Sequence, residues 1–183
     1  MKCILALVLK NREGSESMVD YKELVGRAKA RDKEAFAKLY ELIYKDMYRF
    51  ALYTLKNPQD AEDVVSDTVA DAYETISRLR DAESFKGWIF KILSNKCRRK
   101  MKDYVNKTTE LPEDLPHKGD FTEDTLTREA FWRLSDEERL IISMNIFAGY
   151  SSREIGTILQ KSDNTIRSDK SRALKKMEQM LNG

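Results

Sequence analysis

Apolar residues recur along most of this chain in steps of three and four, and the places where that rhythm stops divide it into blocks. Phe36, Leu39, Tyr40, Ile43, Tyr44, Met47, Phe50 and Ala51 fall on one helical stripe, which predicts a long amphipathic helix. Asn57-Pro58 ends it, because proline has no N–H with which to continue a helix yet fits the first turn of the next. Ala61, Val64, Val65, Thr68, Val69, Ala72, Tyr73 and Ile76 then mark a second helix. A loop around Arg80 to Ser84 leads to a third, with Ser84 as its expected N-cap and Phe85, Trp88, Ile89, Ile92 and Leu93 facing inward.

Between about Tyr104 and Thr125 the rhythm dissolves. Pro112, Pro116 and Gly119 stand among Glu110, Glu113, Asp114, Asp120, Glu123 and Asp124, a composition that predicts a flexible acidic linker with too little apolar surface to fold alone. Helices then resume with clear start signals. Ser135 to Glu138 and Ser151 to Glu154 are both Ser-x-x-Glu capping boxes, and Gly149 closes the helix that holds Leu140, Ile141, Met144 and Phe147. A short helix from Ser152 to Leu159 carries Ile155, Ile158 and Leu159 inward. After a break at Gln160-Lys161-Ser162, a longer helix runs from about Asp163 to Leu181 with Ile166, Ala173, Leu174 and Met177 apolar. Two short-linked helices of this kind form a helix-turn-helix, and Gly156 suits the close approach such a pair needs.

Composition narrows the fold class. With 7 Gly and 3 Pro in 183 residues and 35% charged side chains, the chain favours helices with few breaks, and an all-α fold of two small helical domains is expected. The divisions expected are an irregular N-terminal extension over 1–18, a first helical domain over 19–104, the linker over 105–125, and a second domain over 126–183 with its helix-turn-helix at about 151–175. Cys3, Cys97 and His117 give no zinc or disulfide framework, Cys97 falls at a core spacing, and a reduced, cytoplasmic setting follows. The apolar run Ile4 to Leu9 is too short to span a bilayer and lacks a small-residue cleavage site, so no membrane insertion is expected. Arg12-Glu13-Gly14 can be encoded by a purine-rich stretch like a ribosome-binding site, which makes Met18 an alternative start of translation.

Charge matters through its placement, since the net +2 conceals segregated signs. The second helix presents Asp60, Glu62, Asp63, Asp67, Asp71 and Glu74 without a cation until Arg78. Such a face suits a basic protein surface or water, and not DNA. The third helix ends in Lys96, Arg98, Arg99, Lys100 and Lys102, with Trp88, Phe90 and Tyr104 interleaved among these and Lys86 and Lys91. Aromatic faces stack on unpaired bases while cations follow a strand's backbone; the same residues also fit an ordinary core stripe with a solvated edge. The last helix presents Thr165, Arg167, Ser168, Lys170, Ser171, Arg172, Lys175 and Lys176, side chains that reach phosphates or base edges. An αα-hairpin with a solvated basic face is the alternative reading. No catalytic constellation, phosphate loop or metal motif stands out, so neither an enzyme nor a cofactor is expected.

In this order and spacing, the pieces resemble the sigma-70 family of RNA polymerase sigma factors, specifically its extracytoplasmic-function (ECF) subgroup. DKEAFAKLYELIYKDMYRFALYTLKNPQDAEDVVSDTVADAYETI and SFKGWIFKILSNKCRRK resemble region 2, and LSDEERLIISMNIFAGYSSREIGTILQKSDNTIRSDKSRALKKM resembles region 4. The resemblance implies that Asp60, Glu62, Asp63, Val64, Ser66 and Asp67 dock on the coiled coil of the polymerase β′ subunit. It places Trp88, Lys91, Asn95, Arg98 and Arg99 at the −10 element, with Asn95 helping to read an extruded base. It places Thr165, Arg167, Ser168, Lys170, Ser171, Arg172 and Lys175 at the −35 element, with Arg167, Ser168 and Arg172 the foremost contacts. The partners implied are core polymerase (β′ coiled coil and β flap), promoter DNA and an inhibitory anti-sigma factor, with a monomer when free or held by the inhibitor. A conventional helix-turn-helix regulator acting without polymerase, and a sigma-like adaptor without promoter recognition, remain the alternatives. Ser66 stands where the family commonly has Gln, Asn164 where Gly is frequent, Asp169 where Arg is frequent, and Lys170 where an apolar residue is usual.

Overall fold

A computed structural model describes residues 21–107 and 125–182, and every described element is helical. The expected N-terminal extension, the alternative start and nearly all of the expected linker lie outside those residues. The helices are α1 (Tyr21–Lys29), α2 (Lys33–Leu55), α3 (Pro58–Thr75), α4 (Phe85–Lys107), α5 (Thr125–Trp132), α6 (Asp136–Ile146), α7 (Ser152–Leu159) and α8 (Asp163–Asn182). Two 3-10 turns, Ile76–Arg78 and Ala82–Ser84, connect α3 to α4.

Local chemistry sets most of these boundaries. Asp32 accepts hydrogen bonds from the N–H groups of Glu34 and Ala35 and starts α2; Lys56, in the left-handed region at φ 61°, ends it. Asn57 then caps α3 through the Asp60 N–H, with Pro58 in the first turn. Both capping boxes of the second block form, Ser135 with Glu138 and Ser151 with Glu154. The expected Ser84 cap does not: its hydroxyl donates to the Asp81 carbonyl, and Asp81 caps the 3-10 turn in front of α4. Helix α4 also runs to Lys107, past the expected end near Tyr104, because no Gly or Pro follows until Pro112.

The long helix α2 is the centre of the molecule, packed against α1, α3 and α4 and also against α5 and α6. Its row Phe36, Leu39, Ile43, Met47 and Phe50 is buried, as the periodicity requires. Tyr44 departs from the expected stripe. It lies about 100° round the helix from Ile43, so it sits at the rim, 41% exposed, in a row with Tyr40 and Tyr48. Edge-on aromatic contacts join the helices: Phe50 with Phe90 at 5.8 Å and Phe36 with Tyr73 at 5.1 Å. Each such pair contributes about 1 kcal/mol beyond the area it buries. Cys97 is fully buried, and burial pushes its thiol pKa up. It is an inert core residue.

The second block closes onto the first rather than standing apart. Tyr53 of α2, 1% exposed, has its ring 4.8 Å from Phe131 of α5 and 5.3 Å from Phe147 after α6. Buried Arg139 of α6 donates to the carbonyls of Leu134 at 2.6 Å and Thr54 at 3.4 Å, and pairs with Asp136. The Tyr150 hydroxyl donates to the Gly87 carbonyl in the first turn of α4. Burial raises the Tyr150 phenol pKa, keeping it a neutral donor.

Candidate functional site

Helix α3 turns its apolar side to α2 and α4 and leaves Glu62, Asp63, Ser66 and Asp67 exposed along the other side. Two of the residues that the resemblance assigns to docking are covered in the structure. Val64 is 6% exposed and faces the core. Asp60 is largely covered: Lys100 of α4 stands 2.7 Å from its Oδ1, and the Tyr104 hydroxyl donates to its Oδ2. The bond to Asp60 raises the Lys100 ammonium pKa. A second tie of the same kind joins Lys96 to Asp71 at 2.7 Å. The acidic helix is thus fastened to the basic tail of α4, while its open carboxylates lie between the fastenings and around them.

Helix α4 carries the mixed aromatic and basic set on one long side. Trp88, Lys91, Asn95, Arg98 and Arg99 recur in helical steps; Lys91 and Arg99 are exposed, and Trp88, Asn95 and Arg98 are half-buried. Trp88 leans on Phe85 with ring centroids 6.1 Å apart. Phe90, read from the sequence as one of the interleaved aromatics, is completely buried against Phe50 and has no face left for a base. Tyr104 is engaged with Asp60 through its hydroxyl. Arg98 donates to the Ile158 carbonyl near the end of α7 at 3.4 Å, so the two blocks also meet beside this side of α4.

The helix-turn-helix forms as its sequence prescribes. Gln160 takes a left-handed conformation at φ 59° to end α7, and the Ser162 hydroxyl accepts from the Thr165 N–H to start α8. Gly156 is needed for proximity: a Cβ there would lie 2.7 Å from the Lys161 carbonyl oxygen, against backbone rather than a side chain that could swing away. Replacing Gly156 by Ala is expected to force the turn open, costing about 1–3 kcal/mol. Thermal unfolding of the variant measures this, and an unchanged midpoint would show that the turn relaxes freely.

On α8, Ile166, Ala173 and Met177 are buried, so the opposite side faces out. Thr165, Arg167, Ser168, Ser171, Arg172 and Lys175 are all exposed there, whereas Lys170, four residues after Ile166 and three before Ala173, is half-buried on the inward side. The cations are not bare. Arg167 pairs with Asp163 at 2.7 Å, Arg172 with Asp169, and Lys176 with Glu138 of α6 at 2.5 Å. Although burial pushes the Glu138 carboxyl up, bonds from Lys176 and Ser135 hold its pKa below the ordinary value. Lys161 in the turn reaches Glu137 at 2.6 Å. From the sequence Asp163 and Asp169 count only as carboxylates that repel phosphate, although Asp163–Arg167 and Asp169–Arg172 stand at the i,i+4 and i,i+3 spacings that predict such pairs.

Among the described residues no group of His, Cys, Asp and Glu is assembled to hold a metal ion, and no helix is long and apolar enough to cross a membrane. Two family models match the chain, Sigma-70 region 2 over residues 39–106 and Sigma-70, region 4 over residues 126–177. The first takes in the acidic helix and the aromatic-basic helix; the second takes in the helix-turn-helix. The chain belongs to the sigma-70 family.

Among sigma-70 relatives it is similar to RNA polymerase sigma factor SigV of Bacillus subtilis, with 32% identity over 75% of this chain and 85% of that protein. It is also similar to the ECF sigma factor SigM of Mycobacterium tuberculosis, with 24% identity over 87% and 83% of the two chains. In fold it resembles the sigma factor RpoE of Bartonella quintana, solved with the anti-sigma factor NepR. The TM-score is 0.69 at 23% identity, over 80% of this chain and 96% of the other. A second structure, CnrH with the cytosolic domain of CnrY, matches with a TM-score of 0.61 at 20% identity, over 87% and 95%. The protein is an ECF sigma factor, a promoter-specific transcription initiation factor that works with RNA polymerase.

Proposed function

We propose the following division of labour among its surfaces. The exposed carboxylates of α3, Glu62, Asp63 and Asp67, with Ser66, dock on a basic surface of core polymerase. Helix α8 lies against the −35 element, where Arg167, Ser168 and Arg172 contact base edges or phosphates and Thr165, Ser171, Lys170 and Lys175 support them. The side of α4 bearing Trp88, Lys91, Asn95, Arg98 and Arg99 holds −10 bases once they leave the duplex, so that binding offsets the cost of unstacking.

The observation that carries this reading is the separation of exposed charge: carboxylates on α3, cations and hydroxyls on α4 and α8, within the segments that match regions 2 and 4. Asp60 serves mainly to tie α3 to α4, and Val64 packs beneath the docking face. The boundaries 19–104 and 126–183 are proposed for the two domains. The chain contributes no covalent step, acts in the cytoplasm, and is held in check by an anti-sigma factor.

Transcription in vitro with purified core polymerase tests the scheme. Start-site-specific RNA that depends on this chain is expected, and Arg172→Ala should reduce it by about tenfold while leaving core binding intact. A protein that bound a palindromic duplex by itself and added nothing to polymerase would be a conventional regulator instead.

A further inference from the structure

The exposed end of Arg172 is held by its neighbours. Its Nη2 donates to Oδ1 of Asp169, one turn earlier on α8. The other oxygen of that carboxylate, Oδ2, lies 3.8 Å from the Lys161 ammonium in the turn, and Lys161 is 2.6 Å from Glu137 in the first turn of α6. The chain Glu137–Lys161–Asp169–Arg172 alternates in sign and crosses three elements. Asp169 is its fixed link, with 15% of the side chain exposed against 70% for Arg172.

A carboxylate on the DNA-facing helix would ordinarily repel phosphate. Here a cation on each side compensates its charge, so Asp169 can sit beside DNA without that penalty. Its effect on Arg172 is geometric. An arginine free in solvent explores many rotamers, whereas reading guanine requires two of its five N–H groups in the plane of the base, aimed at O6 and N7. Asp169 engages one terminal nitrogen and leaves the remaining N–H groups of the fork for the base.

We propose that Asp169 is a positioning residue for promoter reading: braced by Lys161 and Glu137, it orients the Arg172 guanidinium so that one base pair of the −35 element is read as guanine. The inference rests on the assignment of α8 to that element and adds to it the device that sharpens discrimination.

Holoenzyme assembled from core polymerase and the full chain would be selected on a promoter-length duplex library randomised across both promoter elements. The selection is made with the wild type, Asp169→Ala, Asp169→Asn, Arg172→Ala and the Asp169→Ala/Arg172→Ala double variant. Arg172→Ala is expected to erase a guanine preference at one position. Asp169→Ala should cut that same preference about tenfold, within the range one bidentate base contact supplies, while every other position and the total affinity change by less than about threefold. Asp169→Asn, which keeps a hydrogen-bond acceptor, should restore part of it, and the double variant should match Arg172→Ala. Thermal melting confirms that each variant is folded, and Asp169→Asn serves if the alanine variant is not.

An unchanged preference in Asp169→Ala, a uniform loss at all positions, or additive losses in the double variant would overturn the proposal. If Arg172→Ala itself leaves every preference intact, the assignment of α8 fails along with it. If Arg172→Ala removes the preference and both Asp169 variants leave it whole, only the positioning role is lost.

Discussion

Replacing Tyr53 by Ala is expected to cost about 3–5 kcal/mol, the range for deleting a large buried aromatic side chain. For a chain of this size that lowers the unfolding midpoint on the order of 10 °C. Tyr53 is 1% exposed and is wedged between Phe131 and Phe147, so the substitution empties the centre of the junction between the two blocks. Nearby residues can close that space only by shifting α5 and α6 against α2. Tyr53→Phe retains the ring and should recover most of the loss. Calorimetry on the three proteins decides the matter. A midpoint within about 2 °C of wild type for Tyr53→Ala would mean that the junction contributes little to the folded state.

Reversing the charge at Glu62 and Asp63 together is expected to weaken binding to core polymerase by on the order of 100-fold, about 2–3 kcal/mol, as two attractive contacts become repulsive. Both side chains are exposed on α3, so the fold should be retained. Asp60→Lys is a less clean test, because it would set a cation against Lys100 and remove the acceptor of the Tyr104 hydroxyl. Its effect on polymerase binding would mix lost docking with a loosened contact between α3 and α4. Co-elution with core at moderate salt measures the first variant, and undiminished binding would remove α3 from the docking role.

The helices and their punctuation were legible because local chemistry decides them. Asn57-Pro58, the two Ser-x-x-Glu boxes and the Gln160-Lys161-Ser162 turn each specify a boundary within a few residues, and each boundary forms where the motif stands. Ser84 misled because it sits in a second capping context: Asp81, three residues earlier, already starts the 3-10 turn and presents its carbonyl to the hydroxyl. Tyr44 and Phe90 misled for a different reason. Helical spacing gives the angle of a residue about its own axis but not where neighbouring helices lie, so a rim position and a core position look alike. The surface cations of α8 were evident, but the Lys161 and Lys176 links to Glu137 and Glu138 bridge separate elements and depend on tertiary placement.

The two ties between α3 and α4, Asp60 with Lys100 and Asp71 with Lys96, have a mechanical consequence. These part-covered ion pairs brace helices already joined by a packed core, and they limit how far one can slide past the other. A partner bound on α3 is therefore expected to carry α4, with Trp88 and Asn95, along with it.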